Sequence, residues 1–164
     1  MFQSQSYQGL AKSELYALLA EQLPALLEGE PDPLANMANA VALIYHALPE
    51  ANWVGCYRLL KGELVLGPFQ GKPACTRIAL GKGVCGLAAA QRRTVVAPNV
   101  HEFPGHIACD AASRSEIVAP LVLDGCLLGV LDLDSPVVDR FDAEDRKGVE
   151  TLARILAGSL GFCD

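Results

Sequence analysis

Apolar residues recur at helical spacing near both ends of the chain. Leucines from Leu15 to Leu27 follow Ser13, which we predict to be the N-cap of a first helix. Asp32 before a proline is typical of a helix start, and an apolar stripe from Leu34 to Leu48 predicts a second helix behind it. A third stripe follows Asp142 and predicts a closing helix.

Short β-prone segments separated by turn residues occupy the region between the second and the last helix. Lys61-Gly62 suits a two-residue hairpin turn, because glycine readily adopts a positive φ. A second hairpin is predicted around residues 123–125, and a short helix over residues 84–92. The predicted strands span residues 51–60, 63–69, 77–80, 94–97, 115–122 and 126–134.

This order of elements predicts an α+β fold in which the helices pack on one face of an antiparallel sheet. The length of 164 residues and a hydrophobic content of 51% predict one domain spanning residues 1–164. Residues 98–114 show no periodicity, and a loop of this length inside a compact domain is usually functional or disordered.

Charge and composition exclude several classes of partner. Thirteen Lys and Arg against nineteen Asp and Glu give a net charge of −6, which disfavours nucleic acid and anionic membranes as partners. No apolar run reaches membrane-spanning length, and the N-terminus lacks a signal pattern, so we expect a cytoplasmic protein. In the cytoplasm thiols are kept reduced, so a disulfide here would be transient and catalytic.

Cys75, Cys85 and Cys109 lie in segments predicted to be loops, where a cysteine is usually kept for its reactivity. They indicate thiol redox chemistry with a nucleophilic and a resolving thiol. A zinc site made of these cysteines with His101 or His106 is disfavoured, because structural zinc ligands usually come in closely spaced pairs. The remaining cysteines are predicted to be packing or incidental thiols: Cys56, Cys126 and Cys163.

Asp132 and Asp134 are two residues apart on an apolar strand, so both carboxylates share one face. If residues 123–125 form a three-residue loop, Glu116 pairs with Asp132 and joins them; a two-residue turn would send Glu116 to the opposite face. Such a cluster needs a metal ion, an ammonium group or a shared proton to offset its repulsion. Alternatively, these positions lie in solvent near the strand end.

Several segments in one order are similar to the GAF-domain free methionine-(R)-sulfoxide reductases, from about Tyr16 to the last helix. The segments that carry the resemblance are Trp53-Val54-Gly55-Cys56-Tyr57, residues 67–75 (GPFQGKPAC), Gly83-Val84-Cys85-Gly86, His106-Ile107-Ala108-Cys109-Asp110, residues 113–118 (SRSEIV) and residues 129–135 (GVLDLDS).

The resemblance implies a GAF fold with active-site loops on the sheet face opposite the terminal helices. It implies that Cys109 attacks the sulfoxide sulfur and becomes a sulfenic acid, which Cys75 resolves as a disulfide. Cys85 would line the same site as an alternative or relay thiol. Thioredoxin is then the expected reductant, and neither a bound organic cofactor nor a metal is required.

The resemblance also implies a substrate site and an assembly. Glu116, Asp132 and Asp134 would hold the ammonium group of the free amino acid and help protonate the sulfoxide oxygen. Trp53 and Tyr57, which share a strand face, would pack around the S-methyl group. A homodimer is expected, because the terminal helices carry broad apolar stripes and related domains pair through them. The alternative function is a GAF module that senses a small ligand without catalysis.

Overall fold

The structure is a computed structural model that describes residues 6–105 and 112–161. Its helices are α1 (Lys12–Leu27), α2 (Pro33–Ala47), α3 (Gly83–Gln91) and α4 (Ala143–Gly158), with a 3-10 turn at Val100–Glu102. Its strands are β1 (Trp53–Leu60), β2 (Glu63–Gln70), β3 (Arg77–Ala79), β4 (Val95–Ala97), β5 (Ser115–Leu123) and β6 (Cys126–Ser135). Among these helices none is long and apolar enough to cross a membrane.

The six strands form one antiparallel sheet in the order β3-β2-β1-β6-β5-β4. The long strands β1, β6 and β5 lie in the centre, and the three-residue strands β3 and β4 lie at the edges. The predicted α+β fold is therefore confirmed. The predicted Lys61-Gly62 turn is also confirmed, since both residues have positive φ and Leu60 pairs with Glu63.

Each central strand contributes to two separate cores, because alternate residues of a strand face opposite sides of the sheet. In β6, Leu131 and Leu133 join the core beneath α1, α2 and α4, while Val130 joins a second core on the other face. Val84 and Ala88 of α3 belong to that second core. The prediction that all helices lie on one face is therefore wrong for α3, whose small residues let it pack closely on the sheet.

The helix starts follow local hydrogen bonding. Asp32 is confirmed as an N-cap, since its carboxylate accepts from the N–H groups of Leu34 and Ala35 at 2.8 and 2.9 Å. Ser13 is not an N-cap, because α1 already begins at Lys12. Glu14 instead accepts a hydrogen bond from the N–H of Ala11 at 2.9 Å and so satisfies a donor at the helix start.

The turn between β5 and β6 differs from the predicted three-residue loop. It is a two-residue turn at Asp124-Gly125, with φ of 49° and 79°, as in a type I′ hairpin. Alone, this turn would send Glu116 to the opposite face from the aspartates. A bulge at Leu128 returns Glu116 to the face of the aspartates. Val122 pairs with Leu127, whereas Leu121 pairs with Gly129, so Leu128 has no partner residue in the register.

The bulge decides which residues share the site face. Beyond it, Glu116 pairs directly with Asp134, and Val118 pairs with Asp132. The predicted pairing of Glu116 with Asp132 is therefore wrong, whereas the prediction that all three carboxylates share one face is confirmed. One inserted residue in β6 compensates for one residue fewer in the turn.

The buried carboxylate of Asp145 links α1 to α4 through hydrogen bonds and ion pairs. Asp145 is fully buried and accepts hydrogen bonds from the Tyr16 hydroxyl at 3.0 Å and from Arg140 at 3.1 Å, while Lys12 completes its ion pairs. The Tyr16 ring lies over Gly148 of α4, where an added Cβ would come within 2.1 Å of the ring. Glycine at this position therefore permits the close approach of the two helices.

We predict that Gly148→Ala destabilises the protein by about 1–2 kcal/mol, because overpacking against Tyr16 outweighs the gain of about 1 kcal/mol in helix propensity. Gly158→Ala, in the same helix with no atom near the added Cβ, is the matched control and should be neutral or stabilising. Chemical denaturation of the three proteins measures both changes. Equal effects of the two substitutions would contradict the role assigned to Gly148.

Candidate active site

A cavity of about 530 Å³, including its open mouth, lies on the second face of the sheet between the central strands and α3. Six of the eight site residues predicted from the sequence line it: Trp53, Tyr57, Cys85, Glu116, Asp132 and Asp134. Cys75 belongs to the loop beside the cavity and is not among its lining residues, and Cys109 lies outside the described residues.

The carboxylates are on the central strands and withdrawn from water. Glu116 and Asp132 are only 7% and 5% exposed, so the alternative that these positions lie in solvent is wrong for both, and Asp134 near the strand end is half-buried. Burial raises the pKa of Asp132 to about 7. Burial, followed by repulsion from Asp132 and Asp134, also raises the pKa of Glu116 well above its usual value. The pair therefore retains a shared proton near neutral pH.

Cys85 lies in the first turn of α3, within the helix predicted over residues 84–92, and is buried, so its interpretation as an exposed loop thiol is wrong. Its thiol donates a hydrogen bond to Oδ2 of Asp132 at 3.2 Å and is 3.9 Å from Oε1 of Glu116. Burial and these carboxylates raise the pKa of the thiol well above its usual value. They outweigh the helix N-terminus, which ordinarily lowers a thiol pKa. Cys85 is thus a neutral donor to the acid cluster.

An aromatic wall faces the carboxylates. The rings of Trp53 and Tyr57 stack with their centroids 6.0 Å apart, and Phe69 stacks on Trp53 at 5.4 Å. Gly55 pairs with Asp132 across the sheet, and a Cβ there would come within 2.3 Å of the indole. The absence of a side chain at Gly55 lets the indole lie flat beside the acids. The prediction that Trp53 and Tyr57 share one face is confirmed.

The same two aromatic side chains hold the loop that carries Cys75. The indole N–H of Trp53 donates to the carbonyl of Lys72, and the hydroxyl of Tyr57 donates to the carbonyl of Cys75, both at 3.1 Å. Cys75 is half-buried and takes part in a disulfide bond. The aromatic wall of the cavity and the backbone of the disulfide-bonded Cys75 are therefore connected by hydrogen bonds.

The predictions for the other cysteines and for the histidines have different outcomes. Cys56 is confirmed as a packing thiol, because it is free and fully buried, and burial raises its pKa to about 12. Cys126 takes part in a disulfide bond, so its prediction as a packing or incidental thiol is wrong. His101 is exposed. The predicted positions His106 and Cys163 lie outside the described residues.

Sequence analysis missed two polar residues of the cavity, Lys82 and Ser113. Ser113 is buried and accepts a hydrogen bond from the side-chain amide of Asn52 at 3.1 Å. Its place in the segment SRSEIV, three residues before Glu116, was the available signal. Lys82 is the N-cap of α3, and its side chain makes no cap hydrogen bond among the described residues, so its positive charge and the start of the helix border the cavity that also holds the acids.

The arrangement is suited to a small zwitterion with an apolar part. The acid cluster offers buried negative charge and a proton, the aromatic wall offers an apolar surface, and the start of α3 offers positive potential. A cation must enter for the carboxylates to ionise at low cost, because buried like charges are unfavourable.

Comparisons with known proteins agree with this geometry. The GAF domain model matches residues 25–160. The free methionine-R-sulfoxide reductase of Escherichia coli is 50% identical over 153 residues, which cover 93% of each chain. Protein YtsP of Bacillus subtilis is 54% identical over 151 residues, covering 91% of this chain and 93% of the relative.

A solved structure is similar over nearly the whole chain. The free methionine-R-sulfoxide reductase of Neisseria meningitidis, in complex with its substrate, superposes with a TM-score of 0.92 at 42% identity, covering 97% of this chain and 96% of that one. By its matched domain and its identity to these relatives, the chain belongs to the GAF-domain family of free methionine-R-sulfoxide reductases.

Proposed function

We propose that this protein reduces free methionine-(R)-sulfoxide to methionine. The observation that carries the proposal is a cluster of three carboxylates that faces an aromatic wall across one cavity: buried Glu116 and Asp132 and half-buried Asp134. Two relatives that are 50% and 42% identical bear the name of this activity, and the chain covers nearly all of each. The R epimer and the free amino acid follow from this family membership.

Recognition of the free amino acid follows from charge. The substrate's ammonium group would bind Glu116, Asp132 and Asp134, and its carboxylate would face Lys82 and the start of α3. A methionine sulfoxide inside a polypeptide has no ammonium group at this point. It would leave buried charges without a partner, which is costly, so peptide-bound substrate is rejected. Trp53 and Tyr57 would enclose the S-methyl group.

The proposed chemistry transfers one oxygen atom from substrate to enzyme. The Cys109 thiolate attacks the sulfoxide sulfur while an acid of the cluster protonates the sulfoxide oxygen, which leaves poorly without a proton. The attack forms an S–S bond. The protonated oxygen then passes to the Cys109 sulfur as the S–O bond of the substrate and this S–S bond both break, so that methionine leaves and Cys109 becomes a sulfenic acid. The proton shared by Glu116 and Asp132, which Cys85 supports by hydrogen bonding, suits these carboxylates to this role.

Recycling uses the second thiol and an external dithiol. The Cys75 thiol displaces water from the sulfenic acid and forms a disulfide, which two thiols of thioredoxin then reduce. The disulfide-bonded state of Cys75 is consistent with a resolving role. This reductant implies the cytoplasm as the compartment. The proposed homodimer rests on the resemblance, since the apolar stripes of α1 and α4 are already buried within the protomer.

We predict NADPH consumption in a thioredoxin-coupled assay with free methionine-(R)-sulfoxide, and none with the free S epimer or with a peptide-bound sulfoxide. The reason is that only a free amino acid brings an ammonium group to the carboxylates. Consumption with peptide-bound substrate would contradict the recognition step. If folded, reduced protein consumes none of the three, the activity is wrong and a ligand-sensing GAF module becomes the better explanation.

Two cysteine substitutions separate attack from recycling. We predict that Cys109→Ser abolishes methionine release, whereas Cys75→Ser releases about one methionine per chain and then stops. Methionine measured by mass spectrometry after rapid mixing gives the stoichiometry. Cys126→Ser is the matched control, because this cysteine does not line the cavity and should leave turnover intact. Full turnover by Cys109→Ser would contradict the assignment of Cys109 as the nucleophile.

We predict that Asp132→Asn lowers kcat/KM yet raises the stability of the free enzyme by about 1 kcal/mol, or about 2–4 °C in Tm. The amide removes a buried charge that only the substrate neutralises, and it can still accept the hydrogen bond from Cys85. Calorimetry at pH 8 and steady-state kinetics measure the two effects. Glu21→Gln, an exposed carboxyl outside the cavity, is the control. Lower stability of Asp132→Asn would contradict this explanation.

A further inference from the structure

Three potential metal ligands from three different elements converge at the floor of the cavity. One ligand atom each of Cys85 on α3, Glu116 on β5 and Asp132 on β6 lie within 4.8 Å of one another, and all three residues are buried. This trio differs from the zinc set of loop cysteines and histidines considered from the sequence. Only Cys85 is common to both sets.

The distances fit a tetrahedral ion. Zinc bound at about 2.3 Å to sulfur and about 2.1 Å to oxygen places those two ligand atoms about 3.6 Å apart. The Cys85 sulfur is 3.2 Å from Oδ2 of Asp132 and 3.9 Å from Oε1 of Glu116, values on either side of that separation. Adjustments of less than about half an ångström would bring both sulfur–oxygen pairs to that separation.

A second observation independently points to a missing ligand. Oδ1 of Asp132, the carboxylate oxygen that does not contact Cys85, is buried and has no hydrogen-bond partner among residues 6–105 and 112–161; the side chain is 5% exposed and lines the cavity. A buried carboxylate oxygen without a partner is costly. A cation bound at the cavity floor would remove that cost.

We propose that Cys85, Glu116 and Asp132 form a binding site for a thiophilic divalent cation of the Zn²⁺ type, and that this cation excludes substrate. The thiolate favours Zn²⁺ over Mg²⁺ or Ca²⁺, which prefer oxygen ligands alone. Three protein ligands leave a fourth position open towards the cavity, unlike the closed set of a structural zinc site. The open position therefore distinguishes this site from a structural zinc site.

Exclusion follows from shared ligands, and this part rests on the proposed function. Glu116 and Asp132 would hold the ammonium group of the substrate, so a cation on the same oxygens and the substrate compete. The cation site itself depends only on the geometry of the three side chains. Metal binding and competition can therefore fail separately.

Co²⁺ titration of the reduced protein in a phosphine reductant tests the site without reference to activity. We expect one Co²⁺ per chain with a thiolate-to-cobalt absorption band, and displacement of that band by Zn²⁺. Cys85→Ser should lose the band and weaken Zn²⁺ binding by more than about 100-fold, since even outer residues of a metal site contribute 10- to 100-fold. Circular dichroism checks that the variant is folded.

Two further variants keep the test decisive. Glu116→Gln retains the thiol, so it should keep the band but bind at least about tenfold more weakly. Cys75→Ser should bind as the wild type does. A band that survives Cys85→Ser but is lost in Cys75→Ser would overturn the proposal in favour of loop thiols, and so would the absence of any binding.

Calorimetric titration of Zn²⁺ into Cys109→Ser, which cannot turn over, tests exclusion. Raising the concentration of free methionine-(R)-sulfoxide should weaken the apparent Zn²⁺ affinity in proportion. Zn²⁺ binding that is unaffected by saturating sulfoxide would overturn the exclusion. If the sulfoxide itself gives no binding heat while Co²⁺ still binds through Cys85, the proposed function has failed and the cation site stands.

Discussion

The pairing of β5 with β6 is the constraint on which the rest of this structure depends. Each of these strands provides apolar residues to the three-helix core on one face and polar residues to the cavity on the other. The bulge at Leu128 sets which residues go where. With it, Ile117 and Leu133 fill the core while Glu116 and Asp134 face the cavity. Core packing and site chemistry are therefore specified by one register.

The cavity face of the sheet carries carboxylates that repel one another. Burial raises the pKa of both Glu116 and Asp132, so the empty site holds a proton that separate, solvated carboxylates would have lost. The Cys85 thiol stabilises this arrangement as a donor. The site is thereby prepared for a positively charged group, and it is less stable than an apolar cavity would be. The ammonium group of a metabolite and a thiophilic metal cation would each neutralise the same carboxylates.

Much of this could be predicted from the sequence, because helix caps, hairpin turns and strand alternation are local signals. The order of elements, the shared face of Trp53 and Tyr57, and the common face of the acids were within reach. The bulge at Leu128 could not be predicted, since an extra residue in an apolar strand does not change the composition of that strand noticeably. The burial of Cys85 could not be predicted either, because it depends on how α3 packs across the sheet. The position of Lys82 at the cavity was not predictable either, for the same reason.

The bulge also limits which insertions and deletions this segment can accept during evolution. An insertion or deletion of one residue between Asp124 and Asp132 would reverse the facing of every side chain beyond it, turning leucines to the cavity and carboxylates into the core. Two opposite defects would then arise from one mutation, and substitution could not repair them separately. The segment from the hairpin turn to the aspartates should therefore keep its length through evolution, even where its apolar residues exchange freely.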